Sequence, residues 1–387
     1  MYKYILLLVL GSILLAVSTA MAGGPPYNVV LIGWDAAQRN HIKECMDRGE
    51  LPHLTALGEE GALVAIDILR TTDTKAGWTQ ILTGYEPEFT GVFSNARSWS
   101  IPKGYTLPER LENYFGKDNI ITVAVICKRE HMEAIGPQKI PLDEAPAAEP
   151  PKPAPTKKPT KARPVPGQSA ASSESELPVS SSMEPAPPEP TPPAEQTPQR
   201  PQKRKPAEGK IIEENGKKYR FIPGKPYFHM KDGIDVFING LHKDAVVGEK
   251  TLELIDKYKD QPFFFFVHFG EIDDAGHMFG ENSPEYTHAL IAADTLTGAI
   301  LQKLKDLGLY DKTLVYVTAD HGFDEGIKTH ADAPYVFLAT NDAKVKRRGM
   351  REDITPTILT RMGIDVNALH PPLSGHTLTA AYKPPLW

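Results

Sequence analysis

Short apolar runs recur along the chain, each closed by polar or glycine-rich residues. The first, residues 28–33, reads Asn-Val-Val-Leu-Ile-Gly. An apolar run that short fits a strand buried on both faces. The same pattern predicts strands over 62–69, 120–126, 263–269, 313–318 and 335–339. Helical composition predicts helices over 36–48, 79–83 with its flanks, 245–258, 284–307 and 354–362. Strands and helices that alternate in this way imply an α/β fold, a three-layer αβα sandwich around a largely parallel sheet.

One stretch breaks the pattern. Residues 141–206 hold 19 of the 36 prolines and no aromatic residue. Such a composition buries too little apolar surface to offset the entropy of ordering. It predicts an insert with polyproline II character inside one catalytic domain. At the N-terminus, an apolar run over 4–17 precedes Ala20-Met21-Ala22, a pattern expected of a secretory signal and its cleavage site. The predicted organisation is a signal peptide over 1–22, the first part of the catalytic domain over 23–140, the Pro-rich insert over 141–210 and the second part over 211–387. A periplasmic or secreted location follows. The two cysteines, Cys45 and Cys127, form no disulfide framework.

Composition then narrows the partners. A net charge of −6 gives no basic bias, so binding to nucleic-acid duplexes is not expected. Neither G-x-G-x-x-G after the first strand nor a G-x-x-x-x-G-K-S/T run is present, which disfavours dinucleotide and P-loop sites.

Sheets of this type carry their sites at the carboxyl ends of the strands. Asp35 follows the first predicted strand. Asp273 and His277 follow the strand over 263–269, four residues apart, so one helical turn can aim both at one ion. Asp320 and His321 follow the strand over 313–318, with Gly322 to open the turn. His330 precedes the strand over 335–339. Carboxylates and imidazoles in this number suit two divalent ions, which can stabilise the attacking and the leaving oxygen of a displacement. The segment from Arg70 to Gly84 follows a strand and opens a helix, and it offers Thr71, Thr72, Thr74 and Thr79 as nucleophiles near a positive helix end. Spacing alone does not choose among them.

Taken together, these motifs resemble the alkaline phosphatase superfamily, and within it the type I phosphodiesterase/nucleotide pyrophosphatase branch. The resemblance rests on Asp35, on Thr74 nine residues before Thr83-Gly84, on Asp273-x-x-Gly-His277, on Asp320-His321-Gly322 and on His330. It implies that Thr74 is the nucleophile and itself a metal ligand. It further implies that Asp35, Asp320 and His321 hold the ion that activates Thr74, and that Asp273, His277 and His330 hold the second. Asn95 resembles the asparagine that donates to a phosphoryl oxygen. Lys128, in Lys128-Arg129, resembles a basic residue of some phosphate monoesterases.

The expected cofactors are therefore two divalent ions, zinc first and manganese second. The expected substrate is a small phosphate ester, hydrolysed through a phosphothreonine. A phosphomonoesterase or phosphotransferase is the alternative, since Thr90, Lys75 and Lys128 depart from the diesterase pattern. A non-catalytic, metal-stabilised cell-wall binding protein, making wall contact through the Pro-rich insert, is a third reading. Thr74-Lys75-Ala76-Gly77 lacks the modifiable Cys of sulfatases. The segments 94–117 and 211–241 read as irregular, with Trp99, Tyr105, Tyr227 and Phe228 as candidates to contact a leaving group.

Overall fold

The computed structural model describes residues 24–142, 210–333 and 335–380. The signal peptide expected over 1–22 lies outside them, as does the Pro-rich insert apart from its edges. Those edges need a correction. Pro141 and Lys210, assigned to the insert, are strand residues.

Eleven strands follow in chain order among the described residues: β1 (Asn28–Trp34), β2 (Ala62–Asp67), β3 (Ile121–Ile126), β4 (Gln138–Pro141), β5 (Lys210–Glu214), β6 (Lys217–Ile222), β7 (Val236–Asn239), β8 (Phe263–Phe269), β9 (Thr313–Thr318), β10 (Tyr335–Thr340) and β11 (Gly349–Met350). The main sheet has the order β11-β2-β10-β9-β1-β8-β3-β7, and β4-β6-β5 form a small antiparallel sheet. In the main sheet only β10 runs against its neighbours, β2 and β9. The expected α/β architecture with a largely parallel sheet, of the alkaline phosphatase type, is borne out.

β1 lies at the centre, between β8 and β9, and all seven of its residues are buried. β8, Phe-Phe-Phe-Phe-Val-His-Phe, is buried throughout. Burying such side chains contributes roughly 1.5–3 kcal/mol each, so these two strands anchor the core. Both faces of the sheet are covered. On one, Trp34 Nε1 donates to Thr297 in the Pro284–Asp306 helix. On the other, Trp78 from the Thr74–Thr83 helix packs against Phe266 and His268, alternate residues of β8.

Topology places the chemistry. β1, β2, β3, β8 and β9 point the same way, so the residues after them emerge on one edge. β10 runs the other way, so His330, which precedes it, reaches that same edge.

The structure refines several expected elements. The helix expected over 36–48 is Arg39–Asp47. Asp35 and Ala36 form a turn, with Ala36 in the left-handed region and Ala37 N–H on the Trp34 carbonyl, and Tyr286 Oη accepts from Gln38 N–H and donates to the Ala36 carbonyl. The segments 94–117 and 211–241 are not irregular. They contain the helix Leu107–Phe115, with a Thr106/Glu109 capping box, the strands β5, β6 and β7, and a short helix, Phe228–Gly233. Tyr227 is fully buried and its hydroxyl meets Thr79, so it packs rather than facing a ligand. Cys45 and Cys127 are buried and unbridged. No helix among the described residues is long and apolar enough to cross a membrane.

Candidate metal centre

Asp35, Asp320 and His321 are brought together with no exposed surface. His321 Nε2 lies 3.6 Å from Asp35 Oδ1 and 3.5 Å from Asp320 Oδ2. It lies 3.1 Å from Thr74 Oγ1. The other ring nitrogen, Nδ1, donates to the Gly322 carbonyl at 2.9 Å, which leaves Nε2 as the bare nitrogen facing the cluster. Asp35 Oδ1 and Asp320 Oδ2 are buried without a hydrogen-bond partner among the described residues. Two carboxylate oxygens without a partner thus converge on an imidazole nitrogen and a hydroxyl that meet each other. That donor set is what a divalent ion such as zinc requires, so the residues present fit the group.

The electrostatics agree. Burial and the neighbouring Asp35 push the Asp320 carboxyl well above the usual range. Burial would also raise Asp35, yet His131 and His268 beside it hold it well below. Burial and the nearby His330 lower His321 to about 4, so its ring is neutral near pH 7 and able to ligate.

The second set is looser. Asp273 Oδ1 has the His277 ring beside it, with Nε2 at 3.3 Å. Burial opposes ionisation of Asp273, but the His277 ring beside it and the nearby Lys128 hold it at about 2. His277 Nδ1 donates to the Lys328 carbonyl at 3.0 Å, which aims Nε2 at Asp273. The His330 ring stacks on His321 at 4.1 Å and meets the His277 ring at 5.1 Å. Among ligand atoms, those of Asp273, His321 and His330 lie within 4.8 Å of one another. His321 therefore faces both sets.

The local sequence explains this placement. The Glu271–Phe279 helix begins directly after β8 and carries Asp273 and His277 one turn apart, with three acidic residues in its first turn. The Thr74–Thr83 helix starts at Thr74, which places that hydroxyl at the positive end. Of the four candidate threonines, Thr74 is the one whose hydroxyl reaches a candidate ligand among the described residues. Thr71 Oγ1 instead accepts from Asp73 N–H, and Thr79 meets Tyr227. Gly322 acts by a close approach to the Gln38 backbone, 3.1 Å from where a Cβ would stand, and not through a left-handed turn.

Asn95 sits at the helix start. Its Oδ1 accepts from Lys75 N–H at 2.9 Å, which leaves the NH2 end to serve as a donor. Thr90 is the buried last residue of the short helix Pro87–Thr90, and its hydroxyl accepts from Val92 N–H. Lys75 pairs with Glu133 at 2.5 Å. Lys128 is not a solvated loop charge. It is 7% exposed, and its Nζ lies 3.2 Å from Asp273 Oδ2 and 2.5 Å from Asp274 Oδ1.

Several residues escaped sequence reasoning. His131 and His268 both contact Asp35. Asp324 accepts from Ala331 and Asp332 N–H and from the Thr329 hydroxyl, and so brackets His330. Arg351 is buried and donates to the carbonyls of Asp320 and Thr71, which ties the loop before the Thr74–Thr83 helix to the end of β9.

Gly77 marks how closely these parts approach. A Cβ there would stand 2.7 Å from the Asp320 carbonyl oxygen and 2.8 Å from an Arg351 nitrogen. Alanine normally favours a helix over glycine by about 1 kcal/mol. Here we expect Gly77→Ala to push the helix off β9, lowering both thermal stability and turnover by at least about tenfold in kcat. Calorimetry and steady-state kinetics check this.

The fold and the clustered Asp, His and Thr side chains define an α/β protein of the alkaline phosphatase type with a candidate metal-ligand set at its strand ends. The family model described as type I phosphodiesterase / nucleotide pyrophosphatase matches residues 185–372, in agreement with the resemblance read from the motifs. That range includes Asp273, His277, Asp320, His321 and His330, while Asp35, Thr74, Asn95 and Lys128 precede it. The chain is 29% identical over 131 residues to the 2,3-bisphosphoglycerate-independent phosphoglycerate mutase of Malacoplasma penetrans, covering 32% of this chain and 24% of that protein. It is 30% identical over 121 residues to human ectonucleotide pyrophosphatase/phosphodiesterase family member 1, covering 28% of this chain and 13% of that one. The chain thus spans about a quarter or less of these relatives' lengths. Among solved structures, the lipoteichoic acid synthase LtaP of Listeria monocytogenes shares the fold at a TM-score of 0.50 and 13% identity, over 93% of this chain and 77% of that chain.

Proposed function

We propose that this protein is an exported phosphoric ester hydrolase that uses two divalent ions, zinc in preference to manganese, and a phosphothreonine intermediate. The observation that carries this reading is the convergence of Thr74 Oγ1, His321 Nε2 and the two unpartnered oxygens of Asp35 and Asp320. Asp35, Asp320 and His321 would hold the ion next to Thr74, and Asp273, His277 and His330 the other. Bound there, the ions would lower the pKa of the Thr74 hydroxyl and neutralise charge that builds on the phosphoryl and leaving oxygens.

Thr74 then attacks phosphorus in line and the alcohol departs. Asn95 Nδ2 donates to a non-bridging oxygen as charge redistributes, with the positive end of the helix behind it. Water then displaces Thr74 from phosphorus, which restores the threonine hydroxyl and releases a phosphate monoester when the substrate is a diester. The apolar run over 4–17 supports action outside the cytoplasm, in the periplasm or secreted.

The position of Lys128 supports a diester over a monoester. A dianionic terminal phosphate is best served by an additional cation. Lys128 is already held between Asp273 and Asp274, and these two carboxylates overcome the effect of burial to raise its pKa. We expect kcat/KM for bis-p-nitrophenyl phosphate to exceed that for p-nitrophenyl phosphate by at least about tenfold, or about 1.4 kcal/mol in barrier. The opposite preference would select the monoesterase alternative, and metal uptake without turnover on either ester would count against an enzyme.

A further inference from the structure

We propose that His131 is a positioning residue that fixes Asp35 as a one-oxygen ligand and spans the carboxylates of the two ion sets. This rests on the two-ion reading above. Asp35 Oδ2 lies 2.7 Å from His131 Nδ1, 2.8 Å from His268 Nε2 and 3.1 Å from Trp78 Nε1. A carboxylate oxygen only accepts, so all three nitrogens donate to it. Three donors saturate Oδ2. Oδ1 is then the one oxygen of Asp35 available to an ion, and it is the oxygen that faces His321.

The three donors are not equivalent. His268 and Trp78 are fully buried, one in β8 and one in the nucleophile helix, and their rings pack edge to face on each other. They are held whatever happens at the site. His131 comes from the loop after β3 and is the donor that loop position controls. Its ring lies between the two sets of ligands, with Nδ1 on Asp35 and Nε2 3.8 Å from Asp273 Oδ2. Lys128, three residues earlier on the same loop, holds that same Asp273 oxygen. The loop therefore grips one carboxylate from each set.

An alternative use of these residues is a third ion between Asp35, His131 and His268, whose ligand atoms lie within 4.8 Å of one another. Hydrogen bonding is favoured by two observations. The distances from Oδ2 to the two histidines are those of charge-assisted hydrogen bonds. The indole N–H of Trp78, which donates only, shares the same oxygen.

The test uses the full chain as wild type, His131→Ala and His131→Asn, each stripped of ions and titrated with Zn²⁺ alone against a chromophoric chelator, with thermal melts alongside. Asparagine keeps an N–H close to where imidazole Nδ1–H stands. We expect wild type to take up two ions. In His131→Ala one of the two should bind about 10- to 100-fold more weakly, the range seen when a partner of a metal ligand is removed. His131→Asn should recover most of that loss, with all three proteins melting at similar temperatures in the ion-free state. Wild-type affinities in His131→Ala would overturn the proposal. So would a third ion in wild type that the alanine variant lacks, or loss of both ions with no recovery in His131→Asn. Fewer than two ions in wild type would overturn the two-ion function together with this inference, whereas the other contrary outcomes leave that function standing.

Discussion

Thr74→Ala is expected to lower kcat by at least about 10⁴-fold while the protein still folds and still takes up ions. The hydroxyl sits at the first residue of a helix whose backbone does not depend on it, and its one polar contact among the described residues is with His321 Nε2. On the proposed mechanism, removing it therefore takes away the attacking atom and little else. The residual rate reports what ions and helix end achieve with water as nucleophile, since nucleophile deletions leave binding and electrostatic contributions in place. Single-turnover kinetics with bis-p-nitrophenyl phosphate, alongside metal analysis of the same sample, check this. Wild-type turnover in the variant at full metal content would remove the covalent step.

Asp320→Asn separates stability from activity. Asp320 is fully buried, and burial together with Asp35 pushes its carboxyl well above the usual range. A carboxyl raised in the folded state costs stability once the pH exceeds its unfolded value, here 3.8, and the cost grows until the folded value is reached. In the ion-free protein at neutral pH, Asp320 is thus a destabilising group. Asparagine keeps the oxygen that accepts from Ala36 N–H and leaves the main-chain carbonyl to Arg351. The ion-free variant should melt about 2–6 °C higher than ion-free wild type at pH 7, and the gain should fade as the pH falls towards 4. With ions supplied, wild type should recover the higher melting temperature by binding them, and the variant should not. Turnover should fall at least about 10²-fold. Calorimetry with and without chelator, at two pH values, gives both results. A lower ion-free melting temperature in the variant would mean that Asp35 and Asp320 are not in conflict.

The two effects share a cause. Carboxylates buried side by side are tolerable when a cation joins them, and the fold holds them there whether or not it does. The strand termini that impose this were legible in the sequence. β1, β8 and β9 are apolar runs that end in Asp or Asp/His, and a parallel sheet sends all such ends to one edge. The pattern could not show which hydroxyl faces them, because Thr71, Thr72, Thr74 and Thr79 all lie near the helix start. That choice depends on the register of the helix against β9, set by Arg351 and by the close approach at Gly77.

Other parts were hidden for a different reason. His131 stands in a loop with no spacing relation to any carboxylate, and its meeting with Asp35 is a contact across 96 residues. His268 lies within an apolar run and reads as a buried strand residue, which it is. Its function comes from β1 and β8 being neighbours, with Gly33 paired to His268. Asp324 looks like any loop acid, yet its carboxylate gathers the backbone around His330. The helix Leu107–Phe115 was legible but unread, because Thr106 and Glu109 spell a capping box ahead of Leu111. Lys128 illustrates the limit of charge reading. A lysine after a strand reads as solvated, and only the tertiary structure shows two carboxylates closing on it.

On the proposed mechanism the phosphoryl group passes through Thr74. The most direct measurement is the stereochemical course of hydrolysis of a diester made chiral at phosphorus, using the ion-loaded full chain. Each in-line displacement inverts the centre, so transfer to Thr74 followed by transfer to water predicts net retention. Net inversion would mean a single displacement by water and would contradict the account.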